Sequence, residues 1–178
     1  MIFRYGFKMF IKISSLKDGT YNYQFREPIS EANLAEPFYG ELKADYRLSK
    51  LGNQIVLDGK VSVSVKFVCD RCLTIYDEPI KTNYQMVYIL EESPNDLDER
   101  KINIQYLPLE TDKIYLSDDI RDYSVLAVPM KKLCKEDCKG LCSRCGKNLN
   151  DGKCDCNTEE IDERWRPLLE LKKKFENN

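Results

Sequence analysis

The chain has 178 residues, room for one ordinary domain and a small satellite but not for two full domains. With 33% charged and 42% apolar residues it falls in the soluble globular class, and no long uncharged run marks a membrane span. It contains no histidine, which excludes an imidazole general base, a Ser-His or Cys-His nucleophile pair and a mixed Cys/His metal site. A zinc site here must be all-thiolate or include a carboxylate. The net charge of −2 argues against a protein that coats nucleic acid nonspecifically.

The stretch from Met1 to Lys12 is apolar, but basic residues interrupt it every few positions and no small-residue cleavage site follows. It does not read as a secretory signal, and Met9 offers an alternative start. The expected compartment is the cytoplasm, where thiols stay reduced, so the eight cysteines read as metal ligands rather than a disulfide framework.

From Tyr39 to Leu48 polarity alternates strictly, with Leu42, Ala44, Tyr46 and Leu48 on one face and Glu41, Lys43, Asp45 and Arg47 on the other. That is the period of a half-buried strand. Leu51-Gly52-Asn53 breaks it, and Gln54 to Val68 resumes as a second strand with Val61, Val63, Val65, Phe67 and Cys69 on one face. Asp58-Gly59 inside it marks a bulge or another tight turn. Leu73 to Tyr76 and Lys81 to Leu90 read as returning strand, interrupted at Pro79 as an edge or bulge requires. Glu91 to Arg100 is acidic and aperiodic, a solvated loop.

After a short apolar stretch, Ile102 to Leu109, Ser117 is expected to cap a helix with Asp118 and Asp119 in its first turn. That helix stops near Val128 because Pro129 follows, and it buries Leu116, Ile120, Tyr123 and Ala127. Glu159 to Phe175 is helix-prone, with Pro167 in a first turn or at a kink and Trp165, Leu168, Leu169 and Leu171 along one side.

The cysteines carry the chemistry. Cys69-Asp70-Arg71-Cys72 lies between strand-like runs, so Asp70-Arg71 reads as a two-residue hairpin tip with the sulfurs facing across it. The pair is either half of a metal site or two ordinary buried thiols. A thioredoxin-like redox pair would open a helix, and here a strand follows. The other six, Cys134, Cys138, Cys142, Cys145, Cys154 and Cys156, have the spacing C-x3-C-x3-C-x2-C-x8-C-x-C within a segment too short to bury a core.

Cys142-Ser143-Arg144-Cys145-Gly146 has the form of a knuckle, two thiolates in reach of one tetrahedral ion and a glycine to turn the backbone. Cys134 or Cys138 would supply a third ligand and Cys154 or Cys156 a fourth, after the turn at Asn148 to Gly152. Structural zinc is the expected occupant, with an iron–sulfur cluster as the alternative. A second four-thiolate site using Cys69 and Cys72 is also open. From Lys131 to Lys153 seven basic residues face three acidic ones, a local balance of +4. Lys139, Arg144, Lys147 and Lys153 in this patch are either phosphate contacts, and so the candidate RNA-binding residues, or a solvated charged face of the module.

The C-D-R-C-L from Cys69 to Leu73, followed by C-K-G-L-C-S-R-C-G-K-N-L-N-D-G-K-C-D-C from Cys138 to Cys156, resembles the bacterial YceD family, the large ribosomal RNA subunit accumulation proteins. The likeness extends to Leu-Ala-Val-Pro-Met before Cys134 and to the early Ile-Ser-Ser-Leu-Lys-Asp-Gly. What the resemblance implies is a noncatalytic role in biogenesis of the large ribosomal subunit. The partner would be large-subunit ribosomal RNA, a precursor particle or a ribosomal protein. A redox-responsive zinc-binding regulator is the alternative function. No catalytic residue set can be assigned, and no membrane partner is expected.

The expected architecture is α+β: a curved antiparallel sheet or partial barrel with one or two helices and a small cysteine-rich zinc module. Residues 1–130 form the β-rich domain ending in a helix, 131–158 the cysteine-rich metal module and 159–178 a C-terminal helical tail.

Overall fold

A computed structural model of the chain describes residues 9–91, 103–156, 164 and 168. The chain divides into two compact units, Met1–Phe67 with Ile75–Lys132, and Val68–Thr74 with Leu133–Asn178. The acidic stretch beyond Glu91 and the helix-prone tail, apart from Arg164 and Leu168, lie outside the described residues. Among the described residues no helix is long and apolar enough to cross a membrane.

The first unit is mostly strand. β1 (Phe10–Lys12) pairs antiparallel with β7 (Lys113–Tyr115), and β2 (Gly19–Pro28), β3 (Phe38–Leu51), β4 (Gln54–Val68), β5 (Ile75–Leu90) and β6 (Ile104–Leu107) form a partly curled sheet in sequence order. A 3₁₀ turn, Ile29–Ala32, follows β2, and α1 spans Ser117–Leu126. The sheet is antiparallel through β5, and β6 joins it parallel to β5, with Val87–Leu90 opposite Ile104–Leu107.

The alternation read in β3 and β4 holds. Leu42, Ala44, Tyr46 and Leu48 are buried with Val61, Val63, Val65 and Phe67, while the intervening side chains face solvent. At roughly 1.5–3 kcal/mol per fully buried aliphatic or aromatic side chain, this face is the main stabilising layer of the unit. Met9 and Ile11 from the β1 side and Leu116 and Ile120 at α1 complete the same core.

Leu51 pairs with Gln54, so Gly52-Asn53 is a two-residue hairpin turn with Gly52 at φ 56°. Glycine at the first central position, in the left-handed region, is what a twist-matched turn of this length requires.

Three local expectations are corrected. Gly59 makes neither bulge nor turn, because β4 runs through it in register with Tyr46. Its missing side chain is a notch: a Cβ there would lie 2.7 Å from the Tyr46 ring and 3.0 Å from that of Tyr84. The irregularity in the ladder falls instead between Tyr39 and Lys43 of β3, where Gly40 has φ 79°. The two phenols beside the notch meet, Oη to Oη, at 2.5 Å, and burial raises the pKa of both.

Ser117 does not cap α1. Leu116 takes that position, because its carbonyl accepts the first helical bond from Ile120 while its own N–H is held by Met9 O at 3.0 Å. The Ser117 hydroxyl is turned inward and buried without a partner.

Pro79 does not interrupt β5. The β4–β5 ladder keeps one register from Leu90 N–H on Asn53 O to Cys69 N–H on Thr74 O. In that register Pro79 stands at a non-hydrogen-bonded position, so its nitrogen turns away from β4. There β5 is an edge, since β6 covers only Val87–Leu90.

The helix docks through aromatic and polar contacts. Tyr84 and Tyr123 stack with centroids 4.3 Å apart and planes 2° from parallel, and Tyr88 Oη donates to Asp119 Oδ2 at 2.9 Å. Burial raises the Asp119 carboxyl above its ordinary pKa, the Tyr88 hydroxyl pulls it back, and Asp118 and Asp122 raise it further. With the folded-state pKa above the unfolded one, the stability linked to Asp119 is full below the unfolded value and lost as pH rises through the folded value.

Tyr88→Phe is therefore expected to cost about 1.5–3 kcal/mol near neutral pH, where the carboxylate loses its donor. The loss should shrink in acid once the carboxyl is protonated, as denaturant titrations at the two pH values would read. Gly59→Ala should cost about 1–3 kcal/mol by driving a methyl group into the Tyr46 ring, measured the same way.

Candidate metal centres

The described residues of the second unit have almost no apolar interior. Their buried side chains are Cys69, Cys72, Cys138 and Cys142, and none of its residues joins the hydrophobic core cluster. Regular pairing is one isolated bridge, Leu141 with Asn148. The sulfurs take the place of a core. Cys69, Cys72, Cys134 and Cys138 form one group, Cys142, Cys145, Cys154 and Cys156 another, and within each group all four sulfurs lie within 4.8 Å of one another.

The separations discriminate between bonding modes. Cys69 Sγ is 3.8 Å from Cys138 Sγ, and Cys72 Sγ is 3.6 Å from Cys134 Sγ. These are nearly twice a disulfide bond, and all eight cysteines are free. Sulfurs at the corners of a tetrahedron with metal–sulfur bonds of about 2.3 Å stand roughly 3.8 Å apart. The donor sets fit one thiophilic, four-coordinate ion each.

Local backbone geometry builds each group. In the first, the loop from Cys69 to Thr74 is wider than a two-residue tip. Cys69 N–H bonds Thr74 O at 2.9 Å and Leu73 N–H returns to Cys69 O at 3.0 Å, with Leu73 at φ 58°, so Asp70 to Leu73 all lie in the loop. Arg71 ties this loop to the Cys134–Cys138 segment through Nη1 on Cys138 O at 2.8 Å. Leu141 N–H donates to Arg71 O at 3.1 Å. Gly140, at φ 76°, permits that approach, since a Cβ there would sit 3.1 Å from the same oxygen.

In the second group the knuckle forms as its spacing implies. Gly146 N–H closes on Cys142 O at 2.9 Å with Gly146 at φ 72°, and Cys142 N–H bonds Lys147 O at 2.8 Å. The turn between Cys145 and Cys154 serves both groups. Asn150 Nδ2 lies 3.3 Å from Cys138 Sγ, and Asn150 Oδ1 accepts from Lys139 N–H at 2.9 Å.

Each group contains a thiol made markedly acidic by its surroundings. Burial raises Cys69, but the amides of Cys134, Cys72 and Arg71 outweigh it and bring its pKa down to about 6. The amides of Cys145 and Arg144 bring Cys142 down to about 6. Cys134 is pushed up to about 12 by burial and by the Cys72 thiol, and Cys156 to about 12 by the Cys145 thiol and then burial. Four thiolates this close repel one another, so full ionisation needs a cation between them.

Spacing alone joined Cys142 and Cys145 to Cys134 or Cys138. The structure instead draws Cys134 and Cys138 to Cys69 and Cys72, and Cys154 and Cys156 both to Cys142 and Cys145. The candidate RNA contacts Lys139, Arg144, Lys147 and Lys153 are exposed, and Lys147 Nζ bonds Lys153 O at 2.8 Å. Within 68–74 and 133–156 six basic residues (Arg71, Lys135, Lys139, Arg144, Lys147, Lys153) meet five acidic ones (Asp70, Glu136, Asp137, Asp151, Asp155). A divalent ion with four thiolates has a formal excess of two negative charges, so two loaded centres would leave this unit net negative.

Fold and sulfur geometry together define a β-sheet protein with a thiolate module arranged for two metal ions. The chain belongs to the YceD family: the profile described as "Large ribosomal RNA subunit accumulation protein YceD" matches residues 57–172, from within β4 through both cysteine groups. It is similar to "Large ribosomal RNA subunit accumulation protein YCED homolog 1, chloroplastic" of Arabidopsis thaliana, with 30% identity over 147 residues, 67% of this chain and 45% of that protein. The maize protein of the same name is 25% identical over 135 residues, covering 59% and 45% of the two chains. An uncharacterised protein of Mycobacterium tuberculosis is 27% identical over 130 residues, covering 73% and 61%. The chain thus spans about half the length of the plant relatives. No solved structure matches it.

Native mass spectrometry is expected to count two metal ions per chain, one after Cys72→Ser and one after Cys145→Ser. A single ion in the unaltered protein, lost in both variants, would contradict the division into two groups. Chelation should abolish the structure of the second unit while the sheet's cooperative unfolding transition persists.

Proposed function

We propose that this protein is a noncatalytic factor that supports accumulation or processing of large-subunit ribosomal RNA by binding the RNA, a ribosomal protein or a precursor particle. One zinc ion would be held by each four-cysteine group. The observation that carries the reading is the family match, which runs from within β4 through β5, β6, β7 and α1 and takes in both sulfur groups. The plant relatives bear ribosomal RNA accumulation in their names.

Zinc suits the site because four thiolates within 4.8 Å of one another, with two of the first group's separations at 3.6 and 3.8 Å, satisfy one tetrahedral ion. In a four-iron cluster each cysteine binds a different iron, which sets the sulfurs farther apart. The bound ion supplies folding free energy to a segment without a core. Residues for chemistry on a substrate are not evident: there is no histidine, and the sulfurs fit as ligands. The exposed set Lys139, Arg144, Lys147 and Lys153 lies in a unit that two loaded centres leave net negative, which disfavours it as the main RNA surface.

Tagged protein sedimented from cell extract across a salt series should co-migrate with large-subunit precursors at low salt and leave them as salt rises. Protein that stays at the top of the gradient at every salt concentration would overturn the assembly role. Elemental analysis of the purified chain should find zinc, and stoichiometric iron would overturn that assignment.

A further inference from the structure

The solvent face of the sheet carries rows of side chains that run across the strands, and the register fixes which residues share a row. Asn22, Arg47 and Asp58 stand opposite one another in β2, β3 and β4, and Gln85 of β5 joins them by donating Nε2 to Asp58 Oδ1 at 2.6 Å. Two residues along, Gln24, Asp45 and Lys60 align in the same way. In both rows a carboxylate faces a cation on the neighbouring strand.

The next row breaks that rule. Arg26 stands directly opposite Lys43, and Lys43 opposite Ser62. The single register that joins Asn53 to Leu90 and Cys69 to Thr74 puts Lys81 across from Ser62. Three exposed cations therefore share one line over four strands, with only a hydroxyl-bearing side chain between them. Among the described residues none of the three forms an ion pair with a carboxylate.

Like charges directly opposite one another weaken a strand pair, so folding alone does not favour this arrangement. An anion laid along the row would relieve it. Beside the row is an open groove of about 740 Å³ between the two neutral rows, where Asn22, Gln24 and Asn83 present amide groups.

We infer that the Arg26–Lys43–Lys81 row is a contact surface for the phosphodiester backbone of single-stranded ribosomal RNA, with the amide-lined groove beside it receiving base edges. The inference rests on the proposed role with ribosomal RNA and assigns the contact to the sheet. Strands are spaced about 4.8 Å apart, so the row offers positive charge along a line of roughly 15 Å, the shape of an extended backbone. A single strand has its base edges free for the amides, whereas an A-form duplex hides them in a deep, narrow major groove. Cations set the position and amides read the bases, the division of labour usual in nucleic-acid recognition.

The test measures fluorescence anisotropy of a labelled single-stranded RNA oligonucleotide of mixed sequence against the metal-loaded full chain over a salt series. The triple variant Arg26→Ala/Lys43→Ala/Lys81→Ala should bind about tenfold or more weakly at low salt, with the log–log salt slope shallower by about 2. Its melting temperature should be unchanged or higher, because a like-charge row has been removed. The variant Lys139→Ala/Arg144→Ala/Lys147→Ala/Lys153→Ala should keep the affinity of the unaltered chain.

Undiminished affinity and slope in the triple variant would overturn the surface, and so would loss in the quadruple variant alone. Equal binding of polyglutamate, lost in the same triple variant, would overturn RNA as the occupant in favour of an acidic protein. If the triple variant loses RNA while the unaltered chain never co-sediments with precursors, the surface stands and the assembly role fails. Co-sedimentation with RNA affinity unmoved in the triple variant gives the reverse.

Discussion

Repulsion among closely set sulfurs, which a cation between them would relieve, is the constraint on which the second unit depends. Eight thiols sit in two groups of four within 4.8 Å, at separations that suit bonds to a shared ion and are too long for disulfides. Around them the described residues supply one isolated bridge and a handful of loop hydrogen bonds. Each such bond contributes about 1 kcal/mol net, too little to offset the ordering of some thirty residues at about 1–2 kcal/mol each. The glycines at 140 and 146 then follow from the sulfurs: the chain must pass close to Arg71 O at one and reverse sharply at the other, both with positive φ.

The sheet unit answers to a different force. Its strands hold together by burying one face, and where that face meets α1 the packing is aromatic, with Tyr46, Tyr84 and Tyr123 in contact and Gly59 leaving room for the rings. Burial of this kind fixes register firmly, because a slip of one residue would turn every apolar side chain outward. A fixed register in turn fixes the solvent face. The backbone positions of the rows of amides and charges on β2 to β5 are therefore set by the register, which suits a surface that meets another molecule.

Legibility in the sequence tracked the range of the interactions. β3 and β4 were readable because each is a period-two pattern of aliphatic and charged residues, a local property. β2 has the same period in Tyr21, Tyr23 and Phe25, but half-buried aromatics alternating with amides give a contrast too weak to mark a strand. Asp58-Gly59 resembles a turn locally, and the reason for its glycine lies 13 and 25 residues away in Tyr46 and Tyr84. The parallel pairing of β6 has no local signature at all. The knuckle at Cys142 to Gly146 was legible because its four-atom logic is contained in five residues. The partners of Cys69 and Cys72 were not, since their sulfur neighbours are 69 and 62 positions down the chain.

The central claim is that all eight sulfurs are metal ligands in two closed centres. X-ray absorption at the metal edge of the purified, full-length chain tests it most directly. The geometry predicts a first shell of four sulfurs per ion at about 2.3 Å and no lighter scatterer. Oxygen or nitrogen in that shell, or a metal–metal vector characteristic of a cluster, would contradict it.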